Sequence, residues 1–98
     1  MDLNLEDKII IVTGGSKGIG HAITNLLAEE KAIPFIVSRD EKTIQKTIEK
    51  IEKKGGRCSY ALAELTDPQQ GKEAVDKAIS EFGTVHGLVN NAGVNDGV

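Results

Sequence analysis

The run Ile9-Ile10-Ile11-Val12-Thr13 passes straight into Gly14-Gly15-Ser16-Lys17-Gly18-Ile19-Gly20, and this junction constrains the fold more than any other stretch. An apolar run without polar alternation suits a strand covered on both faces, as in a parallel sheet between helices. Past the glycines, Ile19, Ala22, Ile23, Leu26 and Leu27 recur at the spacing of an amphipathic helix. Strand, turn and helix in that order aim backbone N–H groups and a positive helix end at one point, a site for phosphate or pyrophosphate. Gly14 lets the chain leave the strand, Gly18 lets backbone approach an anion, and Gly20 lets the helix pack on the strand. The spacing is Gly-x-x-x-Gly-x-Gly with no Gly-Lys-Ser/Thr ending, which disfavours a mononucleotide P-loop.

The same grammar repeats along the chain. The first strand is expected over about Lys8 to Thr13 and the first helix over about Gly18 to Glu30. After Pro34, a second strand Phe35-Ile36-Val37 ends at Ser38-Arg39-Asp40. A helix from about Glu41 carries Ile44, Ile48 and Ile51 on one face and stops at Gly55-Gly56. A third strand, about Arg57 to Leu62, places Cys58, Tyr60 and Leu62 on one side. Asp67 is the expected N-cap and Pro68 the first residue of a third helix reaching about Glu81, with Val75, Ala78, Ile79 and Phe82 as its buried stripe. Gly83 ends that helix, and a fourth strand runs from Val85 to Asn90.

The order β-α-β-α-β-α-β with right-handed crossovers predicts an α/β, Rossmann-type doubly wound parallel sheet in three layers, strand order 3-2-1-4. The ligand crevice then lies between strands one and four, where the order reverses. Two distant sequences, Gly14 to Gly20 and Asn90 to Gly93, therefore meet on one rim.

Composition narrows the function classes. At 98 residues and a net charge of −3, the chain is at most one small domain. No basic stripe or aromatic platform suggests nucleic acid. A single cysteine, Cys58, fits a reducing cytoplasm. The acidic amino terminus is unlike a signal peptide, and no stretch has the length of a membrane span. A cytoplasmic protein without a metal site is expected.

Thr13-Gly14-Gly15-Ser16-Lys17-Gly18-Ile19-Gly20 resembles the cofactor loop of the short-chain dehydrogenases/reductases, and Asn90-Asn91-Ala92-Gly93 resembles their strand-four motif. The two stand at the family's spacing, and the resemblance covers nearly all of the chain. Met1-Asp2-Leu3-Asn4-Leu5, Ala32-Ile33-Pro34 and Asn91-Ala92-Gly93-Val94-Asn95-Asp96-Gly97 further resemble the branch that includes bacterial L-fucose dehydrogenases. The resemblance implies an NAD(P)-dependent oxidoreductase acting on a small-molecule alcohol or carbonyl, in a homo-oligomer, a tetramer by family likeness. It places Gly14, Ser16, Lys17, Gly18, Ile19 and Gly20 around the adenosine phosphates and pyrophosphate. Asn91 would contact the ribose through its backbone, with Ala92 and Gly93 letting the cofactor lie close. Asn90 would brace neighbouring strands. Glu64-Leu65 falls where the family has Asp followed by a small apolar residue touching the adenine. His86 stands where many members carry an acidic residue, with no chemical role evident.

Cofactor choice turns on the end of strand two. A 2′-hydroxyl is held by a carboxylate there, and a 2′-phosphate needs positive charge. Ser38 occupies the strand-end position, Arg39 follows it, and Lys17 lies in the glycine loop. Arginine suits a phosphate dianion. Asp40, about twenty residues past the last glycine, is where an acidic ribose ligand is expected in the general fingerprint, but it sits one step too far into the loop. NADP is therefore preferred over NAD, with Arg39 and Lys17 as mere surface charges being the competing view.

His21 lacks a catalytic partner, Cys58 reads as a small buried apolar residue, and Tyr60 is not followed by lysine four positions on, where Glu64 stands. The family's chemistry rests on Ser and Tyr-x-x-x-Lys, and no catalytic residue is assigned in these 98 residues. The fourth strand would be a bare apolar edge, so residues 1–98 are expected to be the amino-terminal part of one cofactor-binding domain. A non-catalytic nucleotide-binding module or an inactive fragment is the alternative.

Overall fold

A computed structural model of the chain describes residues 4–14 and 17–91. Strands β1 (Ile9–Thr13) and β2 (Ile33–Ser38) pair in parallel, setting Ile11 beside Phe35 and Thr13 beside Val37. Strand β3 (Ser59–Leu62) adds outside β2, and β4 (Gly87–Asn90) adds on the far side of β1. The order β3-β2-β1-β4 is the predicted one. Helices α1 (Gly18–Glu29), α2 (Glu41–Lys53) and α3 (Pro68–Phe82) make the crossovers.

Pro34 lies inside β2 instead of ahead of it. The Ile33 N–H donates to Lys8 O at 2.8 Å on the β1 side, so strand alternation turns the proline nitrogen towards β3. Pairing with β3 begins one residue later, at Phe35 beside Ser59, so the missing N–H has no ladder bond to lose.

The core has two layers. On one side of the sheet, Ile11, Phe35, Val37, Ala61 and Ala63 pack with Ala74 and Ala78 of α3. Phe35 meets Phe82 edge to face, with ring centroids 6.3 Å apart. On the other side, Ile36 packs with Ile44 and Ile48 of α2, with Cys58 and Tyr60 half-buried against them. The side chain of Asp67 accepts from Gln69 N–H at 3.0 Å with Pro68 beginning α3, and Gly83 closes that helix in the left-handed conformation.

The expected stripes of α1 and α3 need correction. In α1, Ile19 and Leu26 are more than half exposed, at 54% and 53%, and Ala22 is exposed too. The residues buried on the sheet side are Gly20 and Thr24, with Ile23 and Leu27 half-buried. In α3, Val75 and Ile79 are exposed while Ala74 and Ala78 are buried. Both helices lie close to the sheet, so the smallest residues take the line facing it and bulky ones splay to the flanks. Leu62 likewise shares a side with Cys58 and Tyr60 but is exposed near the end of β3.

Candidate functional site

The carboxyl ends of β1 and β4 are bound together by one side chain. Thr13 Oγ1 donates to Asn90 Oδ1 at 3.0 Å and accepts the backbone N–H of Asn91 at 2.9 Å. Asn90 thus braces the two strands. Gly14 follows with φ 68° while its N–H donates to Val37 O at 2.8 Å, so the turn leaves the sheet at the β1–β2 boundary. Gly18 opens α1 with φ 54°.

Gly20 is the tightest point of the rim. A Cβ built on it would lie 2.2 Å from Gly14 O and 2.7 Å from Asn91 Nδ2. No side chain fits there, so the turn, the first turn of α1 and Asn91 are in direct apposition. The start of α1 differs from those of α2 and α3, whose first turns are held by Asp40 and Asp67. Lys17 stands at the α1 N-cap, with no capping side-chain bond there and no acidic residue in the first turn. The N–H groups of its first turn, given no capping side-chain bond by Lys17, and its positive end fit an anion such as a dinucleotide pyrophosphate.

The other residues of the expected site surround the end of β2. Ser38 Oγ accepts the Asp40 N–H at 3.3 Å and steadies the turn into α2. Asp40 accepts from Thr43 N–H at 3.1 Å and from Thr43 Oγ1 at 2.7 Å, capping α2. These bonds, with Lys17 beside it, hold its carboxyl down at about 2. The sequence left Lys17 and Arg39 as cations facing an incoming phosphate, and the structure differs. Lys17 Nζ lies 3.1 Å from Asp40 Oδ2, and Arg39 Nη1 lies 2.8 Å from Glu64 Oε2. Both cations are largely exposed. Arg39 also holds the Glu64 carboxyl below the usual carboxylate range, aided by the Thr66 N–H. Leu65 is partly buried against the α3-side core, and Ile19 is exposed at the start of α1. Ser16, Ala92 and Gly93 lie outside the described residues.

Sequence reasoning missed the linking role of Thr13, whose signal was its place as the last polar residue of β1 beside the glycine turn. It also missed His86, whose Nδ1 accepts the Ile9 N–H at 3.0 Å at the start of β4 pairing. His21 ties α1 to α2, its Nδ1 lying 3.3 Å from Thr47 Oγ1. Burial pushes the Cys58 thiol up to about 12, with Glu52 adding to the effect, so it is an inert packing residue. Tyr60 sits on β3 with its hydroxyl donating to Glu41 at 3.3 Å, far along the sheet from β4. Among the described residues, no three His, Cys, Asp or Glu gather as metal ligands, and no helix is long and apolar enough to cross a membrane.

This loop, sheet order and rim can be set against known proteins. Residues 8–98 match the short chain dehydrogenase family. The chain belongs to that family. An uncharacterized oxidoreductase of Listeria innocua is 33% identical over 92 residues, which are 94% of this chain and 37% of that protein. A 3-oxoacyl-[acyl-carrier-protein] reductase of Thermotoga maritima is also 33% identical, over the same shares of the two chains. The solved L-sorbose reductase of Gluconobacter frateurii, complexed with NADPH and L-sorbose, superposes with a TM-score of 0.89 at 32% identity. It is matched over 95% of this chain and 36% of its own. This short-chain dehydrogenase chain thus spans little more than a third of the curated relatives it matches. Short-chain dehydrogenases use NAD(P), and in this chain the α1 end, the Gly20 apposition and the Thr13–Asn91 bond lie together at the carboxyl ends of β1 and β4, where the strand order reverses.

Proposed function

We propose that these residues are the amino-terminal, cofactor-binding part of a single Rossmann domain in a cytoplasmic NAD(P)-dependent oxidoreductase. The observation that carries the reading is the amino end of α1, with no capping side-chain bond from Lys17, held against Gly14 and Asn91 on one rim. The bound nicotinamide supplies or accepts the hydride. The work of this chain's residues is to seat the cofactor. Gly14, Ser16, Lys17, Gly18, Ile19 and Gly20 surround the phosphates, Asn91, Ala92 and Gly93 line the ribose, and Glu64 and Leu65 border the adenine. The substrate is a small alcohol or carbonyl compound. A sugar hydroxyl is favoured by the likeness to L-sorbose reductase and by the stretches similar to the L-fucose dehydrogenase branch. The assembly is a homo-oligomer, a tetramer on family likeness.

NADP is the preferred cofactor. Asp40 is engaged in capping α2, whereas Arg39 just past the end of β2 and Lys17 at the start of α1 are exposed cations, each with one carboxylate beside it, that a 2′-phosphate can reach. The test is an intact mass of the natural polypeptide, followed by nicotinamide absorbance with NADPH or NADH and a panel of ketoses and simple ketones. Oxidation of the reduced cofactor by a polypeptide much larger than 98 residues supports the reading. A natural polypeptide of this size that binds nucleotide without turnover would instead support the non-catalytic module.

A further inference from the structure

We propose that Glu64 is an internal counter-ion with which the 2′-phosphate of NADP must compete for Arg39, so that this carboxylate limits how strongly the chain prefers the phosphorylated cofactor. The inference rests on the cofactor reading above and adds to it the residue that tunes discrimination.

Two carboxylates stand beside the two cations, and they are held differently. Asp40 belongs to α2, where its bonds from Thr43 N–H and Thr43 Oγ1 at 3.1 and 2.7 Å fix it whether or not Lys17 is near. Glu64 has no helix to cap. Its backbone N–H donates to Gln70 Oε1 at 2.7 Å, anchoring the main chain after β3. Its Oε1 takes only longer contacts, from Thr66 Oγ1 at 3.2 Å and Thr66 N–H at 3.5 Å. Its Oε2 is given over to Arg39 Nη1 at 2.8 Å. A phosphate dianion approaching Arg39 therefore meets a guanidinium already engaged by one negative charge. It must either break that pair or share the cation with a like charge. NAD carries only a neutral 2′-hydroxyl at this position and brings no negative charge to compete with Glu64 for Arg39.

Both partners are solvent-exposed, with side-chain exposures of 79% for Arg39 and 37% for Glu64, so the penalty is that of one exposed ion pair. Glutamate reaches further than the aspartate expected here by resemblance. Shortening it separates the pair while keeping a carboxylate.

The experiment is calorimetric titration of the whole natural protein with NADP and with NAD, comparing wild type, Glu64→Gln, Glu64→Asp, Arg39→Ala and the Arg39→Ala/Glu64→Gln double variant. The readout is the ratio of the two affinities, because a lost adenine contact would move both cofactors together and leave the ratio alone. Glu64→Gln and Glu64→Asp are expected to raise the NADP-to-NAD ratio about two- to fivefold, the scale of one exposed pair. Arg39→Ala is expected to bring the ratio towards parity, with no further change from Glu64→Gln on that background. If Arg39→Ala lowers the ratio while both Glu64 variants leave it at the wild-type value, the counter-ion role is overturned and the Arg39 reading stands. If Arg39→Ala leaves the ratio unchanged, Arg39 does not read the phosphate, and both fall.

Discussion

The Thr13 hydroxyl accepts the backbone N–H of Asn91 at 2.9 Å, although 78 positions separate the two residues. This bond, with the one to Asn90 Oδ1, joins the carboxyl ends of β1 and β4 at the crevice where the sheet order reverses. Thr13→Val keeps the shape and removes the hydroxyl, leaving the Asn91 N–H without that acceptor. The expected loss is about 1 kcal/mol in denaturant unfolding, the scale of one part-buried hydrogen bond. Weaker binding of both cofactors should accompany it, and Thr13→Ser should restore most of each.

Gly20→Ala tests the apposition of α1 with the turn. Its Cβ would lie 2.2 Å from a backbone oxygen, which cannot rotate away as a side chain could. The expected result is a loss of about 1–3 kcal/mol, from overpacking against rigid backbone. Dinucleotide affinity should fall with it, while far-ultraviolet dichroism keeps its α/β form.

Acid should loosen the end of β2 through Asp40. Its carboxyl is held at about 2 against an ordinary 3.8, so the unfolded chain binds the proton more readily than the folded one. The stabilisation is complete above about 3.8 and is lost as pH falls towards 2. Asp40→Asn keeps an N-cap side chain and removes the titration. Stability followed from pH 5 downwards should therefore fall less steeply in Asp40→Asn than in wild type.

Lys31 follows α1 with φ 67°, a left-handed conformation that glycine adopts at lower cost. Lys31→Gly should raise stability by about 1 kcal/mol, the strain relieved outweighing the entropy that glycine loses on folding. The shift of the urea midpoint at constant slope reads it.

Much of this was legible in the residues. The switch from the Ile9–Val12 run to helical spacing, and the Asp67-Pro68 start of α3, are local signals that tertiary packing reinforced. The strand order followed from crossover handedness. What was not legible depended on distance in space. Hydrophobicity nominated Val75 and Ile79, but closeness to the sheet selected Ala74 and Ala78, because residue size decides which side of a helix can approach. Arg39 and Glu64 come from the ends of different strands, and nothing in their separate neighbourhoods shows that they meet. Thr13 was visible as a residue of the glycine motif, yet its bond to Asn91 exists only once β4 lies beside β1.

The most direct test of the central claim is a calorimetric titration of the whole natural protein with NADP and NAD, repeated with Gly20→Ala. Saturable binding of both, tighter for NADP and lost or much weakened in Gly20→Ala, is the predicted result. No binding of either dinucleotide to the folded wild-type protein would contradict the account.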